Sequence, residues 1–316
     1  MSPVTILAQH LLNGVLIGCA YALIAMGLTM IFGVMNIANF AHGEFYMLGG
    51  FIAFYLVSLM GLNYFLALPA AVVLVVALAI VLQHSIFRRL RDAPMMTTTL
   101  VTIGLSILLE NVALLLWGPQ PQSIPTPFPT KPLSFFGVYT TPLYVFCMAV
   151  TAALIVVGHL LVRRTRMGKA MRATFQNKEA SALVGIRIDR IYMYTFAFGA
   201  ALAAAAGAVL GGFIPVEPAT GGVVTLKAFV VVILGGMGSF VGAIVGGLLL
   251  GFAEALGSGY MPAGWKDAIG FFAVILVLLF RPEGLFKRAK DRTSPHARSA
   301  RCPPGARQSV GAALPD

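Results

Sequence analysis

Two amides, an imidazole and a carboxylate, Asn36, Asn39, His42 and Glu44, fall within the stretch GVMNIANFAHGEFYMLGG. An apolar run from Leu11 to Phe32 precedes them, another from Phe51 to Met60 follows, and no Lys or Arg occurs before Arg88. Polar groups in such surroundings suit two tasks. They line a polar path for a substrate, or they hydrogen-bond the backbone groups freed where a helix breaks. The other ionisable residues expected at membrane depth are Glu110, Lys227 and Glu254. A charge at the bilayer centre costs about 2.5–3.5 kcal/mol on insertion scales, so such groups face protein or a water-filled cavity.

The setting for these residues is a membrane. Hydrophobic residues make up 59% of the 316 and charged residues 10%, with mean hydropathy +0.89. Soluble domains carry about 25% charged residues, and a globule of this size cannot hide so much apolar surface. Continuous apolar runs of spanning length, about 20 residues, lie near 5–32, 66–87, 97–117, 139–162 and 192–213. Shorter ones lie near 45–60, 224–234, 240–256 and 267–280. The runs lack the alternation of barrel strands. The expectation is an all-α polytopic membrane protein of about eight transmembrane helices, one or two of them broken. No removable signal peptide is expected at the N-terminus.

Nineteen of the 22 basic residues fall in three segments, 88–91, 163–190 and 281–307. That asymmetry places these segments in the cytoplasm, together with the C-terminus, and makes nucleic acid an unsuitable partner. The 118–138 connection, with Lys131 alone, then lies outside. From about residue 291 the chain turns to Pro, Ser, Gly and Arg, a composition that cannot bury a core. Domain organisation is therefore one membrane domain, 1–290, and a disordered basic tail, 291–316. The orientation of everything before Arg88 hinges on whether Asn36–Glu44 is a cytoplasmic turn or a break within the membrane.

A second interrupted segment, LKAFVVVILGGMGSFVGAIVGGLLLGFAEAL, carries its break at Gly235, Gly236, Gly238 and Ser239. Paired broken segments point to a transporter's pathway. Gly238, Gly242 and Gly246, and again Gly247 and Gly251, recur every four residues, a face for close helix packing.

Enzyme chemistry finds no support. There is no GxxxxGK[ST], HExxH or GxSxG, and no Ser/His/Asp set at recognisable spacing. Cys19, Cys147 and Cys302 are scattered, with neither metal nor disulfide spacing. No cofactor and no metal is expected. ATP-driven transport would need an ATPase on another subunit, whereas an ion-coupled carrier would use intramembrane carboxylates. Against the carrier stands RRTRMGKAMRATFQNKEASALVGIRIDRI, too organised for a simple connecting loop. Met167, Ala170, Met171 and Thr174 share one helical face, and Ala180, Leu183 and Val184 another, a pattern suited to docking in a partner's groove.

Within that loop EASALVG, Glu179 to Gly185, resembles the EAA–x3–G motif of ABC-importer permeases, with Ser181 in place of the second alanine. Together with the Asn13–Gly50, Arg166–Ile186 and Lys227–Gly251 stretches, the chain resembles a LivH-type permease of branched-chain amino acid ABC importers over about residues 8–286. The resemblance implies ABC-importer permease architecture in a bacterial inner membrane. Its implied partners are a LivM-type second permease subunit, two ABC ATPase subunits and a periplasmic substrate-binding protein that delivers Leu, Ile or Val. By motif, Arg172, Glu179, Ala180, Ser181 and Gly185 would belong to an ATPase coupling loop spanning 163–191. Asn36, Asn39, His42, Glu44, Gly235, Gly236, Gly238 and Ser239 would border the translocation path. Related permeases carry urea, short-chain amides or other amino acids with nearly the same motifs, and the basic tail is longer than the family pattern.

Overall fold

The computed structural model describes residues 3–260 apart from Asp92, Thr130, Phe136 and Gly137, with isolated positions between 268 and 285. Among the described residues ten α-helices run in the order α1 (Pro3–Met35), α2 (His42–Ser58), α3 (Tyr64–Leu82), α4 (Met95–Trp117), α5 (Pro142–Arg164), α6 (Arg166–Gln176), α7 (Lys178–Leu183), α8 (Ile188–Leu210), α9 (Thr220–Gly235) and α10 (Phe240–Tyr260). A π-helical turn, Gln83–Phe87, extends α3, and a hairpin of β1 (Leu133–Phe135) and β2 (Val138–Thr140) precedes α5. Helix starts follow local chemistry. The side chains of Asn63, Thr141, Thr165 and Asn177 accept the backbone N–H groups of Phe65, Tyr144, Gly168 and Ala180, satisfying donors that a helix start otherwise leaves orphaned.

Two ends of the bundle are defined by side-chain contacts. At one, Gln9 accepts from the Tyr139 N–H, and the Tyr144 hydroxyl donates to the Leu12 carbonyl, so α1 starts beside the hairpin. At the other, Arg91 pairs with Asp189, bringing the first two basic segments together. Helix α1 therefore runs from the hairpin end to the basic end. Helix α8 runs the opposite way, finishing where Gly211 accepts from the Ile124 N–H.

These directions reveal an inverted repeat. One unit is α1, an extended link, the short α2, then α3; the other is α8, the 211–219 link, the short α9, then α10. Helix α10 lies antiparallel on α1 much as α3 lies on α8, while α2 packs on α9 and α1 on α8 at the centre. The α1–α10 crossing is backbone against backbone: a Cβ on Gly247 would overlap Ala22, and one on Gly251 would overlap Gly18. At the α1–α8 crossing, Gly27 faces Gly199. The four-residue glycine spacing thus serves close packing, as its flat face requires.

Among the described residues six helices are long and apolar enough to span a bilayer, against the expected eight. The difference lies in α2 and α9, with 17 and 16 residues. At 1.5 Å per residue each is about 25 Å long, short of the roughly 30 Å hydrocarbon core, because each begins at mid-depth. His42, the first residue of α2, lies beside Ile24, which precedes the end of α1 by 11 residues, or about 16 Å along the axis. Asn36 is therefore a turn at the basic end, and the chain climbs back inside before α2 begins. Half of the expected 267–280 segment falls outside the described residues, and the 291–316 tail and the side of the C-terminus lie wholly outside them.

The topology also changes the pairing of the breaks. The link at 36–41 corresponds to 211–219, both joining a long helix to a half-length one, whereas 235–239 corresponds to 59–63. The 235–239 turn, like the first break, interrupts an apolar stretch, but direction and depth, not interruption alone, define the repeat.

Candidate translocation site

The first break begins at Asn36, whose φ of 56° is left-handed, a conformation Asn tolerates better than most residues. Beyond it the backbone groups of residues 38–43 have no helix to satisfy them. Two threonines from neighbouring helices take that role. Thr102 on α4 accepts the Phe40 N–H (3.2 Å) and lies 3.0 Å from the Ala38 carbonyl. Thr225 on α9 accepts the Gly43 N–H (2.9 Å) and lies 3.1 Å from the Phe40 carbonyl. The Phe40 ring stacks on Phe229 of α9 at 4.7 Å. The extended link is thereby clasped between α4 and α9.

The polar side chains of the link divide by task. The Asn39 carbonyl oxygen accepts the Ala41 N–H (3.2 Å), and His42 Nε2 donates to the Ile24 carbonyl (3.1 Å). Both residues are fully buried and brace the backbone. Glu44, in the first turn of α2, accepts from the Ser106 hydroxyl at 2.7 Å. Its other oxygen, Oε2, has no hydrogen-bond partner among the described residues. Its carboxyl group rests against Gly221 of α9, where any Cβ would overlap it. The N-termini of two half-length helices thus meet around Glu44 at mid-depth, where a carboxylate complements the positive end of the helix dipole.

The second break has a different construction. Gly236 and Gly238 adopt φ values of 95° and 88°, open to glycine at no steric cost. A Cβ on Gly235 would overlap the Gly242 carbonyl. Ser239 accepts the Gly242 N–H (3.0 Å) and so caps α10. The eight residues expected along a path do not form one cluster. Asn39, His42 and Glu44 gather at mid-depth with Thr225, whereas Asn36, Gly235, Gly236, Gly238 and Ser239 lie toward the basic end.

Helices α6 and α7 form the loop between α5 and α8. Helix α6 is held tightly: Thr165 caps it, Gly168 packs against the Val162 carbonyl, and Met171 and Thr174 are buried. Arg172 donates to the Arg163 carbonyl (3.1 Å). Helix α7 projects instead. Asn177 caps it through the Ala180 N–H (2.9 Å), Glu179 lies exposed in its first turn, and Gly185 ends it at φ 87°. Ser181 faces inward, 4% exposed, while Leu183 and Val184 at the tip are 88% and 78% exposed.

Several residues with structural roles at these sites were not singled out by sequence reasoning. Thr102 and Ser106, four apart on one face of α4, and Thr225, inside an apolar run, read as ordinary membrane threonines and serine. A buried triad was only half visible. Lys227 Nζ lies 3.0 Å from Glu254 Oε1, and the Tyr21 hydroxyl donates to Glu254 Oε2 at 2.8 Å. This ties α1, α9 and α10 together, with Glu254 as an interhelical contact.

Comparison with known proteins accords with this arrangement. Residues 10–279 match the family model for the permease component of branched-chain amino acid transport systems. The high-affinity branched-chain amino acid transport system permease protein LivH of Escherichia coli K12 is 36% identical over 293 residues, covering 89% of this chain and 95% of that protein. The corresponding protein BraD of Pseudomonas aeruginosa is 37% identical over the same length and the same shares. A probable LivH of Methanocaldococcus jannaschii is 26% identical over 282 residues, 83% of this chain and 87% of that one. With a family match over residues 10–279 and relatives 36% and 37% identical over 89% of its length, the chain belongs to the branched-chain amino acid transport system permease family.

Proposed function

We propose that the chain forms one half of the translocation path of an ATP-driven importer for Leu, Ile and Val. Its second half is a LivM-type permease subunit, a periplasmic binding protein supplies the amino acid, and two ABC ATPase subunits sit at the basic, cytoplasmic end. The positive-inside asymmetry of the sequence supports a C-terminus at the same end. The observation that carries the reading is the re-entrant link 36–41, which brings irregular backbone to mid-depth and is clasped there by Thr102 of α4 and Thr225 of α9. Irregular backbone at that depth is tolerated where it adjoins protein or a water-filled cavity. The mid-depth meeting of two half-helices is where inverted-repeat transporters hold their substrates.

Work enters through α7. Leu183 and Val184 form an exposed apolar tip on a short helix stiffened by its Asn177 cap and ended by Gly185, a shape that fits an apolar groove on another subunit. Closure of the ATPases on ATP would push this tip. Helix α6 would pass the movement to the ends of α1 and α9, changing which side of the membrane the mid-depth break faces.

Replacing Leu183 with Asp is expected to weaken ATPase association at least about thirtyfold, as loss of an interface anchor does. The bundle should remain folded, because the side chain touches solvent. Co-purification of the ATPases with the permease pair reads this, and undiminished association would remove α7 as the docking element. The cargo is read from the cognate periplasmic protein. Leucine, isoleucine and valine are the expected ligands, and binding of urea or a short-chain amide without affinity for leucine would overturn the branched-chain assignment.

A further inference from the structure

The half-buried Phe175, on α6, occupies a slot made by two glycines from different parts of the fold. A Cβ added to Gly33, near the end of α1, would overlap its ring, and so would one added to Gly238, in the turn between α9 and α10. Gly238 has φ 88°, so this position excludes side chains on both backbone and steric grounds. The ring also lies between two cavities of about 320 and 390 Å³, lining both. One is bordered by Arg172, Gly238 and Phe240, the other by Asn36, Arg91 and Tyr192. Phe175 thus separates the start of the first break from the second break and touches the helix end leading into each.

Its own helix cannot yield independently of the membrane. Helix α6 is clamped to the end of α5 by the Thr165 cap and the close approach of Gly168. It is joined to the projecting α7 through Asn177 alone. Movement of α7 reaches the bundle through α6 as well as through α8, where Lys178 lies over the Tyr192 ring, and the α6 side chain inserted against both breaks is Phe175. Open space on either side of the ring leaves room for the two glycine-lined helix ends to shift around it.

We propose that Phe175 is a positioning residue that transmits movement of the docking loop to both helix breaks, acting as a rigid wedge rather than as a substrate contact. This rests on the reading of α7 as the ATPase-docking element, and the test separates the two. The complete complex, with its partner permease, ATPases and binding protein, is reconstituted in proteoliposomes. ATPase retention, ATP hydrolysis and amino acid uptake are then measured together.

Phe175→Ala is expected to retain the ATPases and to hydrolyse ATP within about twofold of wild type, while uptake falls about tenfold, toward the upper range for coupling mutations. Phe175→Leu, which keeps an apolar wedge, should restore most of that uptake. Gly33→Ala should lower uptake in the wild-type background by crowding the ring. In the Phe175→Ala background it should cost nothing further, the non-additivity expected of contacting residues.

Uptake within about twofold of wild type in Phe175→Ala, with the ATPases still displaced by Leu183→Asp, would overturn the wedge and leave the docking element standing. Loss of the ATPases from Phe175→Ala would assign the residue to docking and overturn the proposal as well. ATPases retained by Leu183→Asp would instead strike at the docking reading. Should Phe175→Ala not accumulate, Phe175→Leu and Gly33→Ala decide: losses that add independently count against the wedge, and losses that cancel support it.

Discussion

Lys227→Met is expected to destabilise the helix bundle by about 3–5 kcal/mol, the cost of removing one partner from a buried ion pair. Glu254 is 1% exposed and sits between α1 and α9, with Lys227 at 3.0 Å and the Tyr21 hydroxyl at 2.8 Å. Without the ammonium group the carboxylate keeps a single neutral donor among these groups, in surroundings with little water to replace the other. The double variant Lys227→Met with Glu254→Met should recover most of the loss, since apolar replacements of a whole buried pair are often neutral or stabilising. Tyr21→Phe removes one hydrogen bond and should cost about 1 kcal/mol. Thermal unfolding in detergent distinguishes these cases. A single variant as stable as wild type would show that the triad does not hold α1, α9 and α10 together.

The second large effect is expected at the clasp. Thr102→Val combined with Thr225→Val keeps shape but removes both hydroxyls, stripping partners from the Phe40 and Gly43 N–H groups and the Ala38 and Phe40 carbonyls. Each buried group left unsatisfied costs about 1–3 kcal/mol, so the link should lose its single conformation and uptake should collapse. Thr225→Ser keeps the hydroxyl and should transport nearly as well as wild type. Labelling of a cysteine placed at Phe40 gives the structural readout: slow in wild type, faster in the double variant. Unchanged labelling and uptake would mean that the link is held by other contacts.

The helix inventory was legible because membrane helices carry their length and apolarity in the sequence itself. The ends of α4, α5 and α8 fell within a few residues of the apolar runs that marked them. Asn36 to Glu44 were recognisable as a break for the same reason, since four polar side chains there needed backbone or water to answer them. What could not be read was depth. Nothing in the spacing says that Asn36 lies at the basic end and His42 about 16 Å inside, because that follows from the hydrogen bond to Ile24 and the rise of a helix.

Partnership across helices was equally hidden. Thr225 meets Gly43 across 182 positions and Tyr21 meets Glu254 across 233, and no local pattern encodes such pairs. The 211–219 link reads in sequence as an ordinary Gly- and Pro-containing loop. Its equivalence to 36–41 emerges only once the directions of α1 and α8 are known. Glycines were the reverse case: their four-residue spacing announced close packing, and α1 against α10 is that packing.

The central claim is that this chain carries branched-chain amino acids only as part of an ATP-driven assembly. It is tested most directly by leucine uptake into proteoliposomes holding this chain, its partner permease, both ATPases and the loaded binding protein. The account predicts uptake that requires ATP and every subunit and is lost when Leu183→Asp displaces the ATPases. Leucine uptake by the permease chains alone, driven by an ion gradient and indifferent to ATP, would contradict it.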